Sequence, residues 1–111
     1  MDYQFTNDKP IYLQLMEVFK VAIVSGELPK GQRLESVRDL AVVAKVNPNT
    51  MQKALAELER IGLVRTERTS GRFITDDEEL ILNMKKELAE KEIQAFLEKM
   101  KSMGLTKDAV I

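Results

Sequence analysis

The chain contains no cysteine, no histidine and no tryptophan among its 111 residues. Without cysteine there is neither a disulfide framework nor thiol chemistry, and nothing points to an oxidising compartment. Because histidine and cysteine are the commonest general base and the commonest thiol nucleophile, their absence argues against an enzyme. The absence of histidine also removes the usual nitrogen ligand of a transition metal. We therefore predict no catalytic activity, no metal site and no cofactor.

Long apolar runs are also missing, and none approaches the roughly 20 residues that a membrane-spanning helix needs. The N-terminus reads Met-Asp-Tyr-Gln-Phe and lacks the basic and apolar blocks of a secretory signal. A hydrophobic share of 44% with 32% charged residues is ordinary for a globular protein. The sequence therefore predicts a cytoplasmic protein with no membrane partner.

Charge of neither sign dominates, since the formal net charge is −1. The distribution along the chain is uneven, however. Residues 1–75 carry eleven Lys/Arg against nine Asp/Glu, a net +2, whereas residues 76–111 carry six against nine, a net −3. The distribution of charge, more than its total, determines whether a surface attracts nucleic acid, so the first part is the one that could bind it.

A helix, a turn and a second helix are predicted between residues 36 and 61. Ser36 is a good N-cap, and Asp39 stands at the third helical position, where it can bond back to the cap. Asn47-Pro48 opens the next helix with a capping side chain and a proline at the first helical position. The apolar residues of the first helix share one face, namely Val37, Leu40, Ala41 and Ala44.

The second helix has an apolar and a polar face. Its apolar face is formed by Met51, Leu55, Leu58 and Ile61, which leaves Asn49, Thr50, Gln52, Lys53 and Ala56 outside. Asn and Gln can pair bidentately with adenine, and Lys can neutralise a phosphate. Taken alone, such a face is more often merely solvated. Its position directly after a helix and turn favours DNA recognition.

A two-stranded wing is predicted after Gly62, which is well placed to end the second helix. Residues 63–67 and 72–75 are strand-like, and residues 68–71 join them. Three arginines surround the tip against a single acid, Glu67, an arrangement that suits phosphate or minor-groove contacts: Arg65, Arg68 and Arg72. The alternative is a hairpin whose charges only prevent edge pairing. We expect Arg33-Leu34 to pair with the wing as a third strand.

One further helix is predicted on each side of this region. Residues at helical spacing before it predict a helix that ends near Gly26: Tyr12, Leu15, Met16, Phe19 and Ile23. The alternatives for Tyr12 and Gln14 are a contact to the DNA backbone or a buried or capping role, and we favour the second. After the wing, the four acids at 76–79 are typical of a helix start, because they lack the spaced loop of a calcium site. Gly104 should end that helix, and residues 105–111 form at most a short final one.

The last long helix carries an apolar stripe whose phase drifts around residues 90–92. Its members are Leu80, Ile81, Met84, Leu88, Ile93, Phe96, Leu97, Met100 and Met103. About 28 helical residues span roughly 40 Å, more than the width of so small a domain, so part of the stripe should overhang. The stripe either folds back on its own domain or pairs with a second copy. We predict a winged helix-turn-helix domain at 1–75 followed by a dimerisation segment at 76–111, in a mainly α fold with a small β wing.

Five segments of the chain resemble the DNA-binding domain of the GntR family of bacterial transcription regulators. They lie at 10–14, 25–31, 34–41, 46–51 and 54–64, and the resemblance extends from residue 10 to about 75. The form Val-Asn-Pro-Asn-Thr at 46–50 is similar to the small YtrA-like branch. The resemblance implies that Arg38 reads a guanine, that residues 47–53 enter the major groove, and that Gly71 lies at the wing tip near the minor groove.

The chain departs from the family pattern at two positions. Glu35 stands where most members have proline before the serine, which we interpret as a variation of the capping turn. Pro48 stands where many members carry an arginine that contacts DNA, so one expected contact is missing. The operator sequence is therefore less predictable than the fold.

Together these observations predict a homodimeric, sequence-specific repressor that binds an inverted repeat in double-stranded DNA. The YtrA-like resemblance implies control of a neighbouring transporter operon, and no motif identifies a small-molecule effector. The alternative is a winged-helix module that binds proteins, which would expose apolar residues on its recognition face. The expected DNA-contacting residues are Ser36, Arg38, Asn47, Asn49, Thr50, Gln52, Lys53, Arg65, Arg68, Ser70, Gly71 and Arg72.

Overall fold

The computed structural model describes residues 1–105 and places four helices and one two-stranded sheet within them. In chain order these are α1 (Ile11–Ser25), α2 (Val37–Ala44), α3 (Pro48–Arg60), β1 (Val64–Glu67), β2 (Gly71–Ile74) and α4 (Glu78–Ser102). The mainly helical fold with a small wing is thus confirmed. The short final helix expected after Gly104 falls largely at 106–111, outside the described residues. Within 1–105, no helix is both long and apolar enough to cross a membrane.

Helix α1 lies against α3 and supplies much of the core. Its buried face consists of Leu15, Met16, Phe19, Ala22 and Ile23. The helix stops at Gly26, whose φ of 86° lies in the left-handed region that glycine adopts without a Cβ clash. The predicted end of the helix is therefore confirmed, and Tyr12 is half-buried.

Both N-caps of the helix-turn-helix form, but within residues 1–105 the expected return bond from the Asp39 side chain to the cap does not. The Ser36 Oγ accepts a hydrogen bond from the Asp39 amide at 3.1 Å, and the Asn47 Oδ1 accepts one from the Asn49 amide at 2.7 Å. These bonds satisfy amides that lack a partner within the helix. The turn also contains Lys45 at a φ of 59°, a left-handed conformation that costs a non-glycine residue roughly 1–2 kcal/mol. Packing of α2 against α3 on either side holds this turn in place.

The wing is an antiparallel hairpin in which Val64 pairs with Ile74 and Glu67 with Gly71. Gly71 is therefore the first residue of β2, and the connection is shorter than the predicted 68–71. The expected third strand is present as a single bridge between Arg33 and Phe73. Val64 and Ile74 are buried in the core, so the base of the wing is fixed while its tip is exposed.

Helix α4 begins where the four acids predict it. The Asp77 Oδ1 accepts a hydrogen bond from the Leu80 amide at 3.0 Å, and Glu78 and Glu79 occupy the first turn. The first turns pack on the core through half-buried apolar side chains, namely Leu80, Ile81 and Met84. No residue of α4 is fully buried. The helix thus folds back on its own domain from its start, and halfway along it the Lys91 Nζ still lies 3.9 Å from the Glu17 Oε1 of α1.

Removal of the α2 cap tests this description of the motif. We expect Ser36→Ala to lower the free energy of unfolding by about 1 kcal/mol, because the Asp39 amide loses its partner. Ser70→Ala is the matched control, since the Ser70 hydroxyl at the wing tip caps no helix and its loss should cost less than about 0.5 kcal/mol. Chemical denaturation of both variants measures the difference. Equal stability of the two would contradict the capping role.

Candidate nucleic-acid interface

The outer face of α3 is polar and its inner face is buried. Asn49, Gln52 and Lys53 are exposed and Thr50 is half-buried. The buried side consists of Met51, Ala54, Leu55 and Leu58. Ala54, which the sequence pattern did not single out, is completely buried, and Ile61 is only half-buried. The chain thus presents hydrogen-bonding side chains on a rigid helix.

The amides on this face differ in what they can recognise. A bidentate contact to adenine requires both the oxygen and the NH2 group of an Asn or Gln. The Asn47 Oδ1 already accepts from the Asn49 amide, so Asn47 is occupied as a cap. The side chains of Asn49 and Gln52 make no hydrogen bond within residues 1–105. These two are therefore the better candidates for reading bases.

Lys53 is positioned by an aromatic ring of another helix. Its Nζ lies 4.0 Å from the ring centroid of Tyr12 in α1. A cation at this distance is attracted by the negative face of the ring, which restricts a long and flexible side chain. Tyr12 is half-buried and caps no helix, and its ring borders the polar face of α3. Helical spacing alone could not reveal this contact, because it depends on how α1 packs against α3.

Arg38 is exposed in the first turn of α2. Within residues 1–105 its guanidinium takes part in no ion pair, although Asp39 follows it directly. Its five donors therefore remain available to a partner. Ser36, by contrast, uses its hydroxyl to cap α2.

The three predicted wing arginines lie in different environments. Arg65 forms ion pairs with Glu67 and, at 3.3 Å, with Asp76, and its guanidinium lies 4.9 Å from the centroid of the Phe73 ring. From the sequence we counted one acid beside these arginines, Glu67, whereas the structure also places Asp76 at the wing. Arg72 is half-buried, and its Nε is buried without a hydrogen-bond partner. Arg68 is exposed at the tip and forms no ion pair in the described part of the chain.

The acids at 76–79 are used in folding. Asp77 caps α4, Asp76 pairs with Arg65, and Glu78 pairs with Lys30. No group of three or more potential metal ligands occurs within residues 1–105. Only Glu79 is without such a role in these contacts, and it lies in the favourable first turn of α4.

Arg33 is a cation near the wing that the sequence reading did not assign to the site. Its Nε donates a hydrogen bond to the Ser70 carbonyl oxygen at 2.7 Å. The only signal in the sequence was the expected pairing of residues 33–34 with the wing. That pairing places the residue beside β2 but does not show where its side chain lies.

The family model described as "Bacterial regulatory proteins, gntR family" matches residues 11–74 of the chain. The chain is 41% identical over 111 residues to the uncharacterized HTH-type transcriptional regulator YhcF of Bacillus subtilis, covering all of this chain and 92% of that protein. It is also 41% identical over 68 residues to the HTH-type transcriptional repressor YtrA of the same organism, covering 61% of this chain and 52% of that one.

Among solved structures, a GntR family transcriptional regulator from Listeria monocytogenes superposes with a TM-score of 0.89 at 35% sequence identity. The match covers 96% of this chain and 93% of that one. The similarity therefore extends beyond the helix-turn-helix and includes most of α4.

Replacement of Arg38 tests whether the start of α2 reads a base. We expect Arg38→Ala to weaken binding to a specific site by about 1–3 kcal/mol while leaving binding to random DNA nearly unchanged, because a base contact carries the specificity. Arg60→Ala is the matched control, since Arg60 lies at the far end of α3 and pairs with Glu57. Fluorescence anisotropy on a footprinted promoter fragment and on a random duplex gives both affinities. An unchanged ratio of the two in Arg38→Ala would refute the assignment.

Proposed function

We propose that this chain, which belongs to the gntR family of bacterial regulatory proteins and is a DNA-binding transcription regulator, is a homodimeric repressor that binds an inverted repeat. The family is non-enzymatic. The repressor role is supported by the similarity to YtrA, which is named a transcriptional repressor. We propose that the protein acts in the cytoplasm, by occupying a promoter. The YtrA-like resemblance is the support for a neighbouring transporter operon as its target.

The polarity of the exposed face of α3 is the main support for the proposed mode of DNA binding. A protein-binding module would expose apolar side chains on this face, whereas its exposed positions hold Asn49, Gln52 and Lys53, with only Ala56 apolar. In the proposed complex α3 enters the major groove, where these groups meet base edges and phosphates. Arg38 contacts a guanine at the start of α2. The wing tip, with Arg68, Ser70 and Gly71, lies over the adjacent backbone or minor groove.

A dimer is proposed because one recognition helix covers only a few base pairs, too few to select a site within a genome. Two copies related by a twofold axis read two half-sites, and their recognition helices must then lie roughly 34–36 Å apart, one turn of DNA. Such symmetry requires a surface that is complementary to itself. Within residues 1–105, helix α4 carries more of the large exposed apolar side chains than any other element.

Two apolar faces on α4 explain the drift in the phase of its stripe. The first face packs on the core through Leu80, Ile81 and Met84, and Leu88 follows Met84 at i+4 on the same side. The second face follows steps of four and three residues, which is the spacing of a coiled-coil seam: Leu82, Lys86, Ala89, Ile93, Phe96, Met100 and Met103. Of its five large apolar side chains, Leu82, Ile93, Phe96 and Met103 are 50%, 59%, 49% and 61% exposed, and Met100 is half-buried.

We therefore narrow the dimerisation surface predicted from the sequence. Leu80, Ile81 and Met84 serve the core of their own domain, and the interface consists of the second face together with its neighbour Leu97. Leu82 and Ala89 are added to it. A lone helix with this much exposed apolar surface is unfavourable in water, and pairing with a second copy covers it. The single charged member, Lys86, suits the polar seam positions that set register in coiled coils.

A charge placed in the second face tests the dimer. We expect Phe96→Glu to be monomeric at micromolar concentration while the winged helix stays folded, because the change buries a carboxylate in the seam but leaves the core untouched. Gln94→Glu adds the same charge on another side of α4 and should remain dimeric. Sedimentation velocity and circular dichroism measure assembly and folding.

Binding to DNA provides the second measurement for the same pair. The wild type and Gln94→Glu should bind a two-half-site duplex much more tightly than a half-site, whereas Phe96→Glu should bind both alike. A wild type that is monomeric at micromolar concentration would contradict the proposed dimer. So would a Phe96→Glu variant that sediments as the wild type does.

A further inference from the structure

The backbone of Arg33 is held in place beside the wing. It lies opposite Phe73 in the bridge to β2. Two backbone hydrogen bonds flank this bridge, from the Leu34 amide to the Arg72 carbonyl and from the Ile74 amide to the Gln32 carbonyl, each 2.8 Å long. Because Ile74 and Leu34 are buried, the start of the Arg33 side chain is anchored to the core.

From this point the Arg33 side chain extends to the wing tip. Its Nε donates to the Ser70 carbonyl at 2.7 Å. The guanidinium also lies close to Gly71, where an added Cβ would come within 3.3 Å of the Arg33 Nε and 3.5 Å of its Nη2. Gly71 has a φ of 107°, which a residue with a side chain rarely adopts. The backbone at the tip therefore leaves room for the guanidinium.

The hydrogen bond to the Ser70 carbonyl uses only the Nε–H group of the guanidinium. The two terminal amino groups of Arg33 form no hydrogen bond or ion pair within residues 1–105, and the residue is exposed. A guanidinium keeps its charge at any pH near neutral and can bind a phosphate through two parallel N–H groups. Arg33 can thus hold the wing with Nε and a phosphate with its terminal groups at the same time.

The wing tip has little else to hold it. Within the tip, the backbone hydrogen bond from the Ser70 amide to the Glu67 carbonyl is long, at 3.3 Å. Arg68, Thr69 and Ser70 are all exposed. Among residues 1–105, the bond from Arg33 is therefore the side-chain hydrogen bond that ties the tip to the body of the domain. Without it, Arg68 would be presented from a looser loop.

We propose that Arg33 is both a DNA-phosphate contact and a positioning residue for the wing tip, holding Ser70 so that Arg68 meets the DNA backbone. The proposal rests on the contact between wing and DNA in the proposed function. It assigns a role to a cation that lies outside the predicted site, and it makes the segment before α2 part of the nucleic-acid interface.

Salt dependence of DNA binding tests the phosphate contact. We expect Arg33→Gln to lower the slope of log Kobs against log salt by about one unit on a random 30-base-pair duplex, and to weaken binding roughly eightfold at 0.1 M salt. Arg33→Lys keeps the charge and should keep most of the slope. Arg60→Gln removes a cation that is paired with Glu57 and should leave the slope unchanged. A slope in Arg33→Gln equal to that of the wild type would overturn the contact.

A double-mutant cycle with Arg68 tests the positioning role. If Arg33 presents Arg68, the double variant Arg33→Gln/Arg68→Gln loses less affinity than the two single losses combined, and Arg33→Lys also reduces the effect of Arg68→Gln. Strict additivity would overturn the positioning role.

If Arg68→Gln lowers the salt slope and Arg33→Gln does not, this proposal fails while the wing contact stands. If neither lowers it, the wing contact itself fails. Thermal unfolding of each variant verifies that the domain is folded.

Discussion

Burial of one face of α3 organises the fold, since α1, α2 and β1 all pack against this helix. A recognition helix must be held rigidly from behind while its front stays polar, and here Met51, Ala54, Leu55 and Leu58 provide the rear attachment. Full burial of a side chain such as Met51 or Leu58 contributes about 1.5–3 kcal/mol. Helix α1 supplies the matching surface with Leu15 and Phe19. The polar face of α3 is thereby left outward.

The elements around α3 determine how its polar face is oriented. The capped turn fixes the angle between α2 and α3, and the left-handed Lys45 shows that tertiary packing, more than local preference, maintains it. The wing leaves the core at Val64 and returns at Ile74, so only its tip projects. Arg38, the exposed side of α3 and the wing tip are thus three separate exposed surfaces, and the proposed complex places all three against the DNA. Such a division is typical of winged helix proteins on duplex DNA.

Much of this architecture could be predicted from local sequence because the signals are themselves local. Ser36, Asn47 and Asp77 cap helices within three residues of themselves, and Gly26 ends α1 through its own backbone freedom. The contacts that sequence reasoning missed join residues distant along the chain. Arg65 with Asp76, Lys53 with Tyr12 and Arg33 with Ser70 depend on how elements pack. In α4 the sequence showed the stripe and its drift, but only packing revealed which side the core covers.

In the proposed dimer, two copies of α3 face one side of the duplex, one DNA turn apart. A hydroxyl-radical footprint of the full chain on the DNA upstream of its own gene tests this most directly. We expect two groups of protected sugars related by twofold symmetry, with centres about 10–10.5 base pairs or a multiple of that apart. A single protected group, or protection that lacks this symmetry, would contradict the proposed dimer on DNA.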